Sequence, residues 1–417
     1  MVEKPIVIVG AGLAGLSCAL GLQRAGLPFL LLEGSDRVGG RVRTEIVDGF
    51  QLDVGFQVLL TSYPELSNSL DLLSLKLGKF EAGALIRHQG KFVRLSDPWR
   101  EPKYLWRTAF ANVATFLDKW RVLRLRWDVS RGGLDELLER PETTSWERLV
   151  EFGLSPRILE GFFAPFWGGV FLDDELNTSS RKLDYLFRLF SLGSAALPAE
   201  GMGQLPAEMV RQLPAAAVRL HSRVVAVSKD HVELVSGERI PAAHVVVACD
   251  PWNAAKLVAG SIPPRARGTQ TIYFAATKPP LVEPVLVLNG EGGGVVRSLC
   301  VPSQVCPRYA PAGQSLISLT VFQESQTDDS QRLIQESLNQ MVEWFGESVR
   351  SWRHLRTYQI PQALPAQDQM ELPMNRPRFA RTAEGILVCG DAHDVASIQG
   401  AMRSGREVAE YLASQVR

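Results

Sequence analysis

The chain has 417 residues, 46% hydrophobic and 22% charged, more than one hydrophobic core usually supports, which predicts two domains. Its 45 Lys and Arg balance 45 Asp and Glu, so the basic surplus that a nucleic-acid binder needs is missing. Five scattered cysteines without a CxxC pair read as reduced thiols of an intracellular protein without a metal site, and no run of 18 apolar residues predicts a spanning helix. The polar start leads straight into a strand with no signal-peptide pattern, so a cytoplasmic or peripheral membrane location is expected.

Ile6 to Val9 is the short apolar, β-branched run of a parallel strand buried on both faces. It enters Gly10-Ala11-Gly12-Leu13-Ala14-Gly15, followed by a helix with Leu16, Ala19, Leu20 and Leu22 inward, and by a second strand from Phe29 to Leu32. This is a dinucleotide fingerprint in its required context: Gly10 for the tight turn, Gly12 for approach of a pyrophosphate, Gly15 for close helix–strand packing. Gly10, Gly12, Leu13, Ala14 and Gly15 are therefore candidate phosphate-binding residues, with the helix dipole favouring the anion. Glu33, 18 residues past Gly15, is placed to accept the ribose hydroxyls; its charge repels a 2′-phosphate, which points to FAD or NAD rather than NADP.

Arg37-Val38-Gly39-Gly40-Arg41, followed by Thr44, extends the acid into E-x-x-x-R-x-G-G-R-x-x-T. This string resembles the second dinucleotide motif of the flavoprotein superfamily that holds amine oxidases, protoporphyrinogen oxidases and phytoene desaturases. The resemblance implies FAD, with Arg41 neutralising a phosphate through its fork of donors. It also assigns Asp53-Val54-Gly55-Phe56-Gln57 to the segment near the isoalloxazine ring, making Gly55, Phe56 and Gln57 candidates.

Residues 99–127 hold four tryptophans, seven basic and two acidic side chains. Ala109, Val113, Phe116, Trp120, Leu123 and Trp127 recur at helical spacing as one face. Two readings stand: a core-facing helix with a solvated basic side, or an interfacial helix resting on anionic lipid. Leu95–Pro98, Leu117–Arg121, Pro165–Phe171 and Leu197–Met202 loosely resemble segments of plant-type phytoene and carotene desaturases.

Further on, Val218 to Val227 and Val232 to Leu234 read as a hairpin, and Ala243 to Cys249 as another buried strand. The resemblance makes this the family's β-meander, in which Val224 covers the adenine. Strand-like runs follow at Thr269–Ala276, Pro284–Leu288 and Leu316–Phe322, with a helix at Ser330–Phe345 and a hairpin turn at Gly290–Gly294. Gly385 to Asp391 is a strand ending in Gly-Asp, and Ser397 to Gly405 opens the last helix. The resemblance implies that Gly390 and Asp391 meet the ribityl chain. It likewise sets Ile398, Gln399 and Ala401, at the last helix's N-terminus, against the flavin's electron-rich edge. His393 and Asp394 could pair in the loop between.

The expected fold is α/β: a Rossmann-like FAD-binding domain, with parallel sheet and β-meander, interrupted by an α+β substrate domain. Residues 1–80, 200–260 and 376–417 would form the first; 81–199 and 261–375 the second, helical over 99–199. The motifs imply an FAD-dependent oxidoreductase with non-covalent cofactor that moves hydride from a substrate C–H to flavin N5. Desaturation of a small apolar, isoprenoid-like substrate is the leading expectation. Amine oxidation, protoporphyrinogen oxidation, non-redox isomerisation and flavin-free binding of lipidated partners are the alternatives. Ala396-Ser397-Ile398-Gln399 lacks the aromatic that amine oxidases carry there. No lysine stands out for the family's contact to a water at N5, and the catalytic residues stay unassigned.

Overall fold

In the first strand, Ile6 and Ile8 pack into one apolar cluster while Val7 and Val9 pack into another. Successive side chains of a strand point to opposite faces, so a run apolar at every position demands cover on both. The computed structural model describes residues 4–322, 328–369 and 376–416. Its central sheet has six strands in the order Val218–Arg219, Phe29–Leu32, Ile6–Val9, His244–Val247, Leu387–Val388, Ala380–Arg381. All neighbours are parallel except the last pair. Pairing puts Arg219, Leu32, Val9, Val247 and Val388 in one row across the sheet. The segments that follow these residues all emerge along a single edge, the carboxyl edge where open α/β sheets bind ligands.

On one face the fingerprint helix Leu13–Arg24 lies against the terminal helix Ile398–Val416. Their contact is close because glycines form it: a Cβ on Gly21 would sit 2.5 Å from the Ala409 Cβ, and one on Gly405 would sit 2.0 Å from the Ala14 carbonyl oxygen. On the other face lies a meander of Val224–Val227, His231–Leu234 and Arg239–Pro241, whose Val232, Leu234 and Ile240 meet Val7 and Val9. The run from Val218 to Val227, expected as one strand, is two. His221 adopts φ +53°, and the turn is fixed by the His221 and Ser222 N–H groups donating to the Ser35 and Glu33 carbonyls.

A second, mixed sheet has seven strands: Arg353–Pro365, Ala266–Ala276, Ser315–Val321, Val296–Cys300, Leu286–Asn289, Gly83–His88 and Lys91–Ser96. The three expected strands, the turn at Gly290–Gly294 and the helix Ser330–Phe345 all form. Ile272 and Phe274 pack beneath Leu333, Met341 and Trp344 of that helix. The opposite face, with Thr271 and Tyr273, turns toward the loop after residue 53. Three strands of this sheet were not foreseen. The hairpin Gly83–Ser96 and the strand Arg353–Pro365 lie at the two sheet edges, where polar residues on the solvent side dilute the apolar pattern.

Residues 102–192 are helical for the most part. The predicted face over 109–127 is divided between the helices Leu105–Ala109 and Phe116–Val129, the second opened by a Thr115–Asp118 capping box. Of the predicted face, Val113 is buried while Phe116, Trp120, Leu123 and Trp127 are exposed, and the helix Phe116–Val129 turns Asp118, Leu125 and Val129 inward instead, so its aromatic side is not core-facing. Among the described residues, no helix is long and apolar enough to cross a membrane.

Candidate functional site

The crevice at the sheet's carboxyl edge gathers residues from both ends of the chain. Gly10 takes φ +103°, and its N–H donates to the Leu32 carbonyl at 2.7 Å. A Cβ there would strike the backbone of Cys249, at 2.8 Å, so the turn admits only glycine. On Gly15 a Cβ would fall 1.9 Å from the Gly10 carbonyl oxygen, the close helix–strand approach expected of the third glycine. Gly12 differs. Its φ of −72° and ψ of −179° suit any residue, and a Cβ built on it meets nothing within 4 Å. The protein does not itself require glycine here; a ligand that presses on this backbone does. Leu13 and Ala14 follow in the first helical turn.

Glu33 points back at the fingerprint: its carboxylate accepts from the Ala11 N–H at 2.8 Å and the Ser35 N–H at 2.9 Å. The Arg37–Arg41 loop docks on the same turn, with the Gly39 N–H donating to the Ala11 carbonyl at 2.8 Å. Gly34 lies against Arg223, one residue before Val224, so the meander meets the acid end of the crevice.

Arg41 donates to one Asp391 carboxylate oxygen at 2.7 Å and to the Ala363 carbonyl at 3.0 Å, with its guanidinium over the Trp252 ring. Two residues expected to hold different parts of a cofactor are thus ion-paired across 350 positions of sequence. Gln57 donates to the Arg41 carbonyl at 2.9 Å, while its own amide oxygen is buried without a partner. That orphan acceptor, the open Cβ direction at Gly12 and the exposed flank of Arg41 are what a bound dinucleotide would complete. Gly55 takes φ +87°, a conformation that favours glycine, with a built Cβ pressing on the tip of Ile360, and the Phe56 N–H donates to the Thr271 hydroxyl.

At the far side, Gly390 takes φ +142° and donates its N–H to the Ser404 hydroxyl at 2.9 Å. The terminal helix opens with the Gly400 N–H on the Ser397 hydroxyl and the Ala401 N–H on the Ser397 carbonyl. Among the described residues no protein acceptor meets the Ile398 and Gln399 N–H groups, which stay available to an anionic ligand. The Gln399 side chain points elsewhere, accepting from the Glu65 N–H at 2.9 Å, so only its backbone is free to serve a cofactor. His393 and Asp394 do not pair. The Asp394 carboxylate is fully buried against the Arg403 guanidinium, which also reaches Asp135.

Lys182 escaped the sequence reading. It is 2% exposed, on the helix Ser180–Leu192, with its ammonium 5.4 Å from the Phe171 ring centre. Burial pushes it down to about 8, against the opposing pull of Asp391, Asp173 and Asp368 and with Arg267 adding to the fall. The signal was present: Lys182 stands at the helical spacing of buried Tyr185, Leu186 and Leu189, a cation on the apolar face. From Phe171 an aromatic row leads outward. Phe171 stacks on Trp167 at 5.2 Å, and Trp167 meets Phe166 and Phe190 at 5.1 and 5.7 Å. Phe162 stacks on Phe166 at 5.7 Å, and Phe162, Phe166, Phe187 and Phe190 are each only half-buried.

Comparison with known proteins agrees with this geometry. Putrescine oxidase of Kocuria rosea is 43% identical over 75 residues, covering 18% of this chain and 16% of that one. The lycopene-forming phytoene desaturase of Pantoea ananas is 46% identical over 56 residues, 13% of this chain and 11% of that one. The aligned segments thus span well under a fifth of either relative. Cyclohexylamine oxidase from Brevibacterium oxydans shares the whole fold, with TM-score 0.72 over 99% of both chains at 17% identity. The family model of the flavin-containing amine oxidoreductases matches residues 13–413. On that match, this chain belongs to the flavin-containing amine oxidoreductase family and is an FAD-dependent oxidoreductase.

Proposed function

We propose that the protein oxidises an apolar, extended substrate at a C–H bond beside non-covalently bound FAD. The aromatic row from Phe171 through Trp167 to Phe166, Phe162 and Phe190 carries this reading. It supplies a continuous row of buried and half-buried rings, the apolar wall that an isoprenoid-like chain requires. When bound, FAD supplies the hydride acceptor. Gly12, Leu13, Ala14, Glu33 and Val224 would hold its adenosine-diphosphate half. Arg41, Gly55, Phe56, Gln57, Gly390, Asp391, Ile398, Gln399 and Ala401 would hold the ribityl and flavin half. The chain contributes orientation, exclusion of water and positive charge at the terminal helix's N-terminus. Cys389 is buried, with its N–H on the Val247 carbonyl, which supports attachment without a covalent bond.

Amine oxidation is the second reading, favoured by the similarity to putrescine oxidase. Anaerobic mixing of holoprotein with carotenoid precursors in detergent, and separately with mono- and diamines, decides between them. Bleaching of the flavin by the polyene precursors alone is expected. Bleaching by an amine, with the precursors inert, overturns the apolar assignment.

Lys182 yields a stability prediction. Its ammonium titrates near 8 folded and near the ordinary 10.5 unfolded, so between these values the unfolded chain binds more protons. Stability from this group is fully present above about pH 10.5 and is lost as pH falls through 8, a swing of about 3 kcal/mol. In the apoprotein, Lys182→Met is expected to raise stability at pH 7 by up to about 3 kcal/mol, with the gain narrowing toward pH 10. Urea unfolding of both proteins at three pH values measures it. Parallel curves would show that the lysine is not buried as a cation. A destabilising cation within electrostatic reach of Asp391 supports a role at the cofactor.

A further inference from the structure

We propose that the two helices between Leu105 and Val129, with the loop before them, form a docking surface for an anionic lipid bilayer. The surface stands on exposure and charge, independently of which substrate is oxidised. Trp99, Trp106, Phe110, Phe116, Trp120 and Trp127 are 60, 73, 79, 88, 53 and 63% exposed. Single exposed apolar residues are ordinary on a soluble protein; six large aromatics within 29 residues are not.

The exposure is imposed by the fold. The helix Phe116–Val129 buries Leu125 and Val129 yet leaves its aromatics on the outer side, and Asp118 fixes that orientation. Asp118 is fully buried, and its carboxylate accepts from the Thr115 N–H and hydroxyl and from the Ser155 N–H and hydroxyl, at 2.7 to 2.9 Å. Those four charge-assisted bonds pin the helix with Asp118, Leu125 and Val129 inward, which leaves Phe116, Trp120 and Trp127 outward. Rotating the aromatics into the core would strand the carboxylate. At the other end of the patch, Trp106 and Phe110 stack at 6.3 Å, presenting a paired aromatic edge.

Charge selects lipid as the occupant. Residues 99–127 carry seven basic and two acidic side chains in a chain that is neutral overall. Asp118 is sealed inside, Lys103 is paired with Glu81 and Glu101, and Arg126 with Asp97, so the unpaired surface charge rests on the remaining cations. Arg124 and, just beyond, Arg131 are exposed, Arg131 over the Trp127 ring at 4.4 Å, and among the described residues neither has a carboxylate partner. Aromatic rings interleaved with solvent-facing cations on short helices match a bilayer's interface, where rings enter the headgroup layer and cations meet phosphate and carboxylate. A protein partner would instead bury an apolar centre depleted of charge. The patch also connects to the aromatic row: Arg100 donates to the Phe190 and Gly193 carbonyls at 2.8 and 2.6 Å.

The test is co-sedimentation of the yellow holoprotein with vesicles of phosphatidylcholine, with and without phosphatidylserine, at low and high salt. Pelleting with the anionic vesicles at low salt is expected, reduced about tenfold or more by high salt or by omitting phosphatidylserine. R124E/R131E, at exposed positions, is expected to lose anionic binding to a similar extent with its flavin spectrum and melting unchanged. W106S/F110S removes the stacked pair and is expected to weaken binding to both kinds of vesicle. Protein left in the supernatant in every condition overturns the proposal, as does pelleting indifferent to both variants. Sedimentation equilibrium without lipid addresses the rival occupant: a dimer abolished by W106S/F110S would assign the patch to a second copy of the chain.

Discussion

Gly12→Val is expected to yield a folded, colourless protein. The backbone at Gly12 has an ordinary extended conformation, and the space in front of its Cα holds no protein atom within 4 Å. A Cβ there meets nothing in the apoprotein, so stability should stay within about 1 kcal/mol of the wild-type apoprotein, the loss expected for a poorer residue at a helix N-cap. Its branched side chain fills the approach of the cofactor's pyrophosphate, and purified protein should release no FAD on denaturation. Absorbance of the purified variant near the flavin bands, with its melting curve, checks both halves. A yellow variant would move the cofactor away from the fingerprint.

Three residues later the same substitution should do the opposite. At Gly15 the added Cβ lies 1.9 Å from the Gly10 carbonyl oxygen and 3.4 Å from the Ala248 Cβ. Backbone cannot yield there without separating the fingerprint helix from its strand. Gly15→Val should therefore cost at least about 3 kcal/mol, enough to leave much of the chain unfolded or insoluble at 37 °C. Added FAD will not rescue it, since the defect precedes the site. If the variant melts with the wild-type apoprotein, the helix and strand do not touch as described.

This contrast marks what the sequence discloses. A GxGxxG reads as one motif, yet its first and third glycines answer to protein packing and its second to something outside the protein. Composition alone does not separate them; the turn, the strand and the terminal Glu33 do, because they fix where each Cα must face. The rest of the nucleotide crevice was legible for the same reason. Short buried strands, a Gly-Asp end and a helix start are local signatures, and the sheet register needed only their order. The pairing of Arg41 with Asp391, 350 residues apart, has no local trace. Nor was the split at His221 read, although the polar run His221-Ser222-Arg223 interrupts the apolar residues of Val218–Val227 there. On the outer helices, periodicity located the aromatic face correctly but not its direction. The deciding residue was Asp118, whose burial depends on Ser155, 37 positions away. Lys182 was missed because a lone lysine on an apolar helix face looks like a snorkelling side chain until its surroundings are known.

The glycine seam between the fingerprint helix and the terminal helix bears on the order of events in time. Gly405 lets the Ala14 carbonyl come within contact, and Gly21 admits Ala409. Until the ribosome has passed residue 409, the nascent fingerprint helix has only its strand to lie against, and its second face stays wet. Closure of so large a loop costs little more than closure of one half its length, about 0.6 kcal/mol per doubling, but it must wait for the last stretch to exist. A chain interrupted after residue 380 would carry every glycine of the first motif and still present it on a helix with one face bare. Such a fragment is a natural client for chaperones and proteases until the segment Ile398–Val416 covers the first helix.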